Sequence, residues 1–138
     1  MNRRTLYWIN ILVPLLFGVI VYLYWMPDAY ISRMILRFFH ISYATDRGKP
    51  EGIGKFIRYY LSDICWAYAL TVSLALYLGR HSLVMTYIIS TIFVVLIELL
   101  QLLPQTPGYF DIFDIIAEVI TSTVTIFIIN LYERRNIL

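Results

Sequence analysis

The stretch ELLQLLPQTPGYFDIFDIIAE, residues 98–118, joins two long apolar segments of the chain. Proline and glycine in its middle end one predicted membrane span and separate it from the next. The stretch nevertheless carries carboxylate and amide side chains at Glu98, Gln101, Asp111, Asp114 and Glu118. Acidic side chains in or beside membrane spans are costly and mark functional or tightly packed sites. We therefore expect the polar site of the protein here.

The composition predicts an all-α integral membrane protein. Hydrophobic residues make up 60 % of the 138 residues and charged residues 14 %, against roughly 45–50 % and about 25 % in soluble domains. The apolar residues form four blocks of about 20 residues, which is the length that crosses a bilayer. We predict one membrane domain, residues 1–138, with spans at about 6–25, 59–78, 83–103 and 111–132.

Neither nucleic acid nor a cofactor is expected as a partner. The net charge of +2 is too small for a nucleic-acid-binding surface. The single cysteine, Cys65, belongs to no CxxC motif or Cys/His cluster. Membrane lipids are the predicted partners.

A charged amphipathic segment, at about 28–43, separates the first two spans, and the polar loop 44–55 follows it. The segment is too charged to span, so it is predicted to form a helix in the membrane interface. Its basic side would face lipid phosphates; the alternative is a helix packed on the bundle. The apolar side comprises Ile31, Met34, Ile35, Phe38 and Phe39, and the basic side comprises Arg33, Arg37 and His40.

Short second and third connections predict an up-down-up-down bundle. The start of the second span, the end of the third and the start of the fourth then lie on one membrane side. This arrangement would bring Asp63 to the acidic stretch. Glu98 would lie about 7 Å deep at 1.5 Å per residue, where facing lipid would cost up to about 3 kcal/mol. The candidate polar site is Asp63, Glu98, Gln101, Asp111, Asp114 and Glu118.

Three interpretations of this site remain open. It is a buried network with arginine counter-ions, a site for an external ligand, or a proton or ion path. The ligand would be a divalent cation, a polar head group or a sugar-phosphate, and no metal ligands are assigned. Candidate phosphate or head-group contacts are Arg33, Arg37, His40 and Arg58.

Basic residues barely discriminate between the two membrane orientations. One side would hold Arg3, Arg4, Arg80, Arg134 and Arg135, and the other Arg33, Arg37, Arg47, Lys49, Lys55 and Arg58. We favour a cytoplasmic N-terminus because both termini place an arginine pair directly beside a span. The acidic face would then be extracytoplasmic.

Two segments resemble the VanZ-like membrane proteins: E98-L-L-Q101 followed by a Pro/Gly turn and F110-D111-I-F-D114, and upstream D63-I-C-W66-A-Y68-A-L70. The resemblance covers roughly residues 62–121. The turn lacks the arginine of that family, and Glu118 and Thr121 replace its usual asparagine and glycine.

The resemblance implies a bacterial cytoplasmic-membrane protein with a role in the cell envelope, and one member of the family is linked to resistance to the glycopeptide teicoplanin. We predict that the acidic pocket binds a lipid head group or a lipid-linked cell-wall precursor. The alternatives are a membrane hydrolase or transferase that acts on such a lipid through a carboxylate base, and an accessory subunit whose acidic residues are packing contacts.

Overall fold

The computed structural model describes residues 2–27, 29–41, 51–79, 82–103 and 110–135 of the chain. Every regular element in these ranges is helical. The helices are α1 (Arg3–Trp25), α2 (Tyr30–Phe38), α3 (Ile53–Leu78), α4 (Leu83–Leu100) and α5 (Ile112–Arg135). All except α2 are long and apolar enough to cross a membrane. The predicted fold class, an all-α membrane protein with four spans, is confirmed.

Several predicted boundaries were wrong. The second span was expected from about residue 59, but α3 already begins at Ile53 and continues through a π-helical turn at Ile57–Leu61. The third span ends at Leu100 because the amides of residues 101–103 donate to carbonyls three residues back, which tightens the chain into a turn. Residues 44–50 of the predicted loop lie outside the described residues.

Helix α2 is shorter than the predicted segment because a left-handed residue ends it. His40 has a φ of 53°, a conformation that non-glycine residues seldom adopt. The Ile41 amide donates to the Leu36 carbonyl at 2.9 Å, and the His40 amide donates to the Arg37 carbonyl at 3.1 Å. This pair of hydrogen bonds is a Schellman motif, so the helix stops at Phe38.

Contacts between the helices establish the up-down-up-down order. Helix α3 contacts the other three spans. It runs antiparallel to α1. The Tyr68 hydroxyl donates a hydrogen bond of 2.7 Å to Asn10 Oδ1, while Cys65, which is earlier on α3, lies against Gly18, which is later on α1. Helices α4 and α5 are also antiparallel. Tyr87 meets Thr123 at 3.4 Å, and the end of α4 meets the residue before α5.

The interior of the bundle mixes a small apolar core with small polar residues, whereas its surface is apolar. Helix α4 buries Thr86, Ser90, Val94 and Glu98 at intervals of four residues, and most of its large apolar side chains are exposed. The buried Thr86 hydroxyl is satisfied within the helix, since it donates to the Ser82 carbonyl at 3.1 Å. Small polar residues at helix interfaces and apolar residues outside are typical of helices packed in lipid.

Helices α1 and α3 approach closely at Gly18 of α1. A Cβ atom at this position would lie 3.1 Å from the Cys65 Cβ and 3.4 Å from the Ser62 carbonyl oxygen of α3. A larger residue would require the neighbouring atoms to move by a few tenths of an ångström. Gly18 therefore lets α1 pack closely on the N-terminal half of α3, beside Asp63.

Candidate functional site

The N-terminal half of α3, the end of α4 and the start of α5 meet at one end of the bundle. Asp63 lies within electrostatic range of Glu98, Asp114 and Glu118, and Asp111 lies within range of Glu98 and Asp114. Gln101 is hydrogen bonded to Glu98. The structure thus brings together all six side chains that the sequence placed at the site.

Both carboxylate oxygens of Glu98 accept hydrogen bonds, one from the end of α4 and one from the residue before α5. Its Oε1 accepts a hydrogen bond of 2.7 Å from the Gln101 side-chain amide. Its Oε2 accepts the Asp111 backbone N–H at 3.4 Å. The side chain is only 5 % exposed, and a carboxylate buried with two donors is satisfied. Glu98 therefore joins the end of α4 to the residue before α5, and Gln101 holds the Glu98 carboxylate in place.

Asp111 also has a local structural role. Its Oδ1 accepts the backbone N–H of Phe113 at 2.9 Å. This contact is a helix N-cap, and it satisfies one of the amides that α5 would otherwise leave unpaired. The Asp111 side chain therefore caps the N-terminus of α5.

Three carboxyl groups remain, which we call the carboxyl triad: Asp63, Asp114 and Glu118. Asp63 accepts a hydrogen bond of 3.2 Å from the neighbouring Ser62 hydroxyl. Glu118 is 6 % exposed, and its Oε2 is buried without a hydrogen-bond partner. No basic side chain in the described part of the chain forms an ion pair with the triad. A buried carboxylate without a partner is costly, so the triad has unused capacity for donors.

A cavity of about 190 Å³ reaches Asp63 from the side of α1 and α2. It is partly open to the surface of the bundle. Its wall includes Gly18 and Tyr22 of α1, Ile35 of α2 and Trp66 of α3. The cavity gives Asp63 a route to the exterior of the bundle.

The predicted basic residues lie apart from the triad. Arg33 and Arg37 of α2 and His40 just after it are exposed. Arg58 is half-buried, its guanidinium lies 5.7 Å from the centre of the Tyr59 ring, and its Nε has no hydrogen-bond partner. Within the described residues, none of these four side chains forms an ion pair with a carboxylate of the candidate site. The buried-network interpretation requires arginine counter-ions, and the described residues provide none at this site.

The face of α2 that packs on the bundle differs from the predicted apolar face. The buried residues are Ser32 and Leu36. Met34, Phe38 and Phe39 are 58, 78 and 64 % exposed. The helix therefore presents large apolar and basic side chains together to its surroundings, an arrangement that suits the membrane interface.

Sequence reasoning missed several residues around the triad. Ser62 and Trp66 lie within three residues of Asp63, so helical spacing could have identified them. Tyr60 lies within electrostatic range of Asp111 and Asp114, and it too is near Asp63 in sequence. Gly18 and Tyr22 carried no such signal, because the register of α1 against α3 depends on packing.

The opposite end of the bundle holds a separate polar contact. The Tyr7 hydroxyl of α1 donates to Glu133 Oε1 of α5 at 2.9 Å. Glu133 is 5 % exposed, so it matches Glu118 in burial and lies on the same helix. The two glutamates differ in their hydrogen bonding. Glu133 accepts the Tyr7 hydroxyl, whereas Oε2 of Glu118 has no hydrogen-bond partner.

Among the described residues, no three His, Cys, Asp or Glu side chains are grouped so that they could hold a metal ion. No family model, curated protein or solved structure matches the chain. The turn in which VanZ-like proteins carry an arginine, residues 107–109 here, lies outside the described residues. The similarity to that family therefore rests on the sequence motifs.

Proposed function

We propose that this chain is a VanZ-like protein of the bacterial cytoplasmic membrane that binds the polar head group of a lipid or of a lipid-linked cell-envelope precursor. One observation carries the proposal. The carboxyl triad has no basic partner among the described residues, and one of its members, Asp63, lines a cavity that is partly open. The site can therefore accept hydrogen bonds from a molecule that enters from the membrane.

The energetics favour a ligand for the triad over a sealed packing contact. Acidic side chains inside a membrane bundle are expensive and normally face a partner or a water-filled cavity. Glu98 and Asp111 have found partners within the chain. Glu118 keeps an unpaired buried oxygen, and a donor from a ligand would remove this cost.

Helix α2 supplies the second half of the proposed site. Ile35 lines the cavity, so α2 forms part of its wall. Arg33 and Arg37 of α2 and His40 just after it are exposed. Arginine and protonated histidine bind phosphate through charge-assisted hydrogen bonds. A head group would place its hydroxyl or amine groups in the cavity, and the basic side chains on the outer side of α2 would contact lipid phosphates at the membrane interface.

We place the triad at the outer face of the membrane, with the N-terminus in the cytoplasm. Arg3 and Arg4 begin α1, and Arg134 and Arg135 end α5, so both arginine pairs lie at the end of a span. Such pairs favour the cytoplasmic side. The site would face the leaflet in which envelope precursors are exposed, in keeping with a role in glycopeptide resistance or another envelope function.

Trp66 offers a direct assay because it lines the cavity together with Asp63. The chain has three tryptophans, so replacing Trp8 and Trp25 by phenylalanine leaves Trp66 as the sole reporter. This variant is reconstituted in phosphatidylcholine nanodiscs and titrated with phosphatidylethanolamine, phosphatidylglycerol or an undecaprenyl-linked aminosugar phosphate. At least one of these lipids should change the Trp66 emission saturably.

The same titration is repeated with Asp63→Asn and Glu118→Gln introduced together. We expect the affinity to fall about tenfold or more, the equivalent of one charge-assisted hydrogen bond. Glu133→Gln is the matched control, because it removes an equally buried glutamate from the opposite end of α5 and should leave the affinity unchanged. Equal affinities in all three proteins would refute the proposal.

A further inference from the structure

Resting on the proposed function, we infer that the lipid bound in the cavity beside Asp63 is a neutral alcohol. Its hydroxyl group lies between Asp63 and Tyr22, and its hydrocarbon chain occupies the deeper part of the cavity along α1. This ligand class follows from the residues that line the cavity, and it deepens the proposed function by naming the group that Asp63 binds.

The cavity is polar at one end and apolar at the other. Tyr22 lies in the last turn of α1, and Pro14 lies eight residues earlier, a distance of about 12 Å along the helix. Because Gly18 lies against Ser62, Asp63 enters the cavity nearer to Tyr22 than to Pro14. Towards the middle of the span the described lining from α1 is apolar: Pro14, Leu15 and Val19.

Two polar groups at the outer end of the cavity have unused hydrogen-bonding capacity. The Tyr22 hydroxyl makes no hydrogen bond within the part of the chain that the structure describes. Among the same residues, Asp63 accepts only the Ser62 hydroxyl, through Oδ1. The phenol and the carboxylate thus line one cavity without being hydrogen bonded to each other. A group that lies between them has to accept from Tyr22 and donate to Asp63.

An alcohol hydroxyl meets both requirements at a single atom. It has one O–H donor and two acceptor lone pairs, so it can donate to Asp63 Oδ2 and accept the Tyr22 hydroxyl. An ammonium group has donors only, and it would leave the phenol hydrogen without an acceptor. An ionised phosphate has no donor, and the Asp63 carboxylate would repel it. The polar end of the cavity therefore favours a neutral hydroxyl.

The remainder of the ligand is hydrocarbon. No basic side chain lines the described part of the cavity, so a phosphate inside it would be buried without a partner, which is costly. The apolar lining from Pro14 to Val19 instead suits an alkyl or isoprenoid chain that runs along α1. Val19 lines the cavity and is 48 % exposed, so the chain can enter sideways from the bilayer. Long-chain alcohols, polyprenols and diacylglycerols combine a hydroxyl with hydrocarbon in this way.

The test compares ligands that share one chain and differ at the polar end. The protein with Trp66 as its sole tryptophan, in phosphatidylcholine nanodiscs, is titrated with hexadecanol, hexadecyl methyl ether and hexadecylamine. Hexadecanol should change the Trp66 emission saturably. The ether keeps the acceptor but loses the donor, so we expect it to bind about tenfold more weakly. The amine should also bind more weakly than the alcohol. Equal or tighter binding of the ether or the amine would overturn the inference.

Variants at the polar end test the two predicted hydrogen bonds. Asp63→Leu removes the acceptor, so hexadecanol and its methyl ether should bind this variant equally. Tyr22→Phe removes the donor and should weaken hexadecanol binding about fivefold. Tyr24→Phe is the matched control, because Tyr24 is two residues away, is 54 % exposed and lies outside the described lining. A tenfold preference for hexadecanol that persists in Asp63→Leu would contradict the inference.

A further pair of variants tests the position of the chain. Val19→Phe narrows the apolar end and should weaken hexadecanol binding about tenfold. Ile20→Phe is the matched control, since Ile20 is 63 % exposed and lies outside the described lining. Both variants should unfold at the same temperature in detergent. Equal hexadecanol affinities in the two variants would mean that the chain lies outside the cavity, and would overturn the inference. If Val19→Phe does not fold, the ligand comparison in the unaltered cavity still decides the point.

The inference and the proposed function can fail separately. Hexadecanol without saturable binding, together with a phospholipid or lipid-linked precursor whose binding depends on Asp63 and Glu118, would overturn the alcohol and leave the proposed function standing. Saturable binding of none of these lipids would overturn both. Hexadecanol binding that is lost in Asp63→Leu and in Val19→Phe, and retained in Ile20→Phe, is the result that we expect.

Discussion

Replacing Gly18 by cysteine should create a cross-link between α1 and α3. Cys65 is the only native cysteine, and a Cβ atom at position 18 would lie 3.1 Å from the Cys65 Cβ. Disulfides have Cβ–Cβ separations of about 3.5–4.5 Å, so the two helices need to move apart by only a few tenths of an ångström. Two cysteines held this close should oxidise readily.

The assay is performed in native membranes. After mild oxidation, free thiols are labelled with a maleimide mass tag under denaturing conditions, and the cross-linked chain takes up no tag. Ile20→Cys is the matched control, because Ile20 is two residues away on α1 and 63 % exposed. Gly18→Cys combined with Cys65→Ser reports cross-links between chains. Equal tagging of Gly18→Cys and Ile20→Cys would refute the packing that places Asp63 beside the cavity.

Three further substitutions test individual contacts. Asp111→Ala should destabilise the protein by about 1 kcal/mol by removing the cap on the Phe113 amide, whereas Asp111→Asn should retain stability, both measured by unfolding in detergent. Tyr7→Phe should cost about 1.5–3 kcal/mol because its hydrogen bond reaches a buried carboxylate. His40→Gly should relieve the left-handed strain and slow hydrogen exchange at the Ile41 amide about fivefold.

Controls and contrary results are specific to each substitution. If Asp111→Ala and Asp111→Asn lowered the free energy of unfolding equally, Asp111 would not stabilise the protein by capping α5. Tyr77→Phe, at a tyrosine that is 86 % exposed, should leave stability unchanged, and a Tyr7→Phe effect no larger than this would contradict the buried contact. Unchanged or faster exchange at Ile41 in His40→Gly would contradict the Schellman end of α2.

Hydropathy and connection length were sufficient to predict the four spans and the end of the bundle at which the acidic residues meet. The pairing of Glu98 with Gln101 followed from their spacing on one helix. Spacing could not reveal that the Glu98 carboxylate also accepts the Asp111 amide, because this contact depends on how the chain folds back between α4 and α5. Two of the predicted site residues, Glu98 and Asp111, therefore proved to have structural partners.

The residues that surround Asp63 could not be predicted from the sequence either. Gly18 and Tyr22 approach it only because α1 and α3 pack in one particular register. Likewise, hydrophobic periodicity predicted an apolar face for α2, but the residues that pack on the bundle are Ser32 and Leu36. In a membrane protein large apolar side chains can face lipid, so apolar character does not identify the packed face. The resemblance to VanZ-like proteins stays a prediction.

The lipids that accompany the protein out of its own membrane test the central claim most directly. Wild type, Glu118→Gln and Glu133→Gln are extracted in native-membrane nanodiscs, and their lipids are counted by mass spectrometry. We expect a lipid or a lipid-linked precursor to be enriched with wild type and Glu133→Gln and to return to the bulk level with Glu118→Gln. The same lipid profile for all three proteins would contradict it.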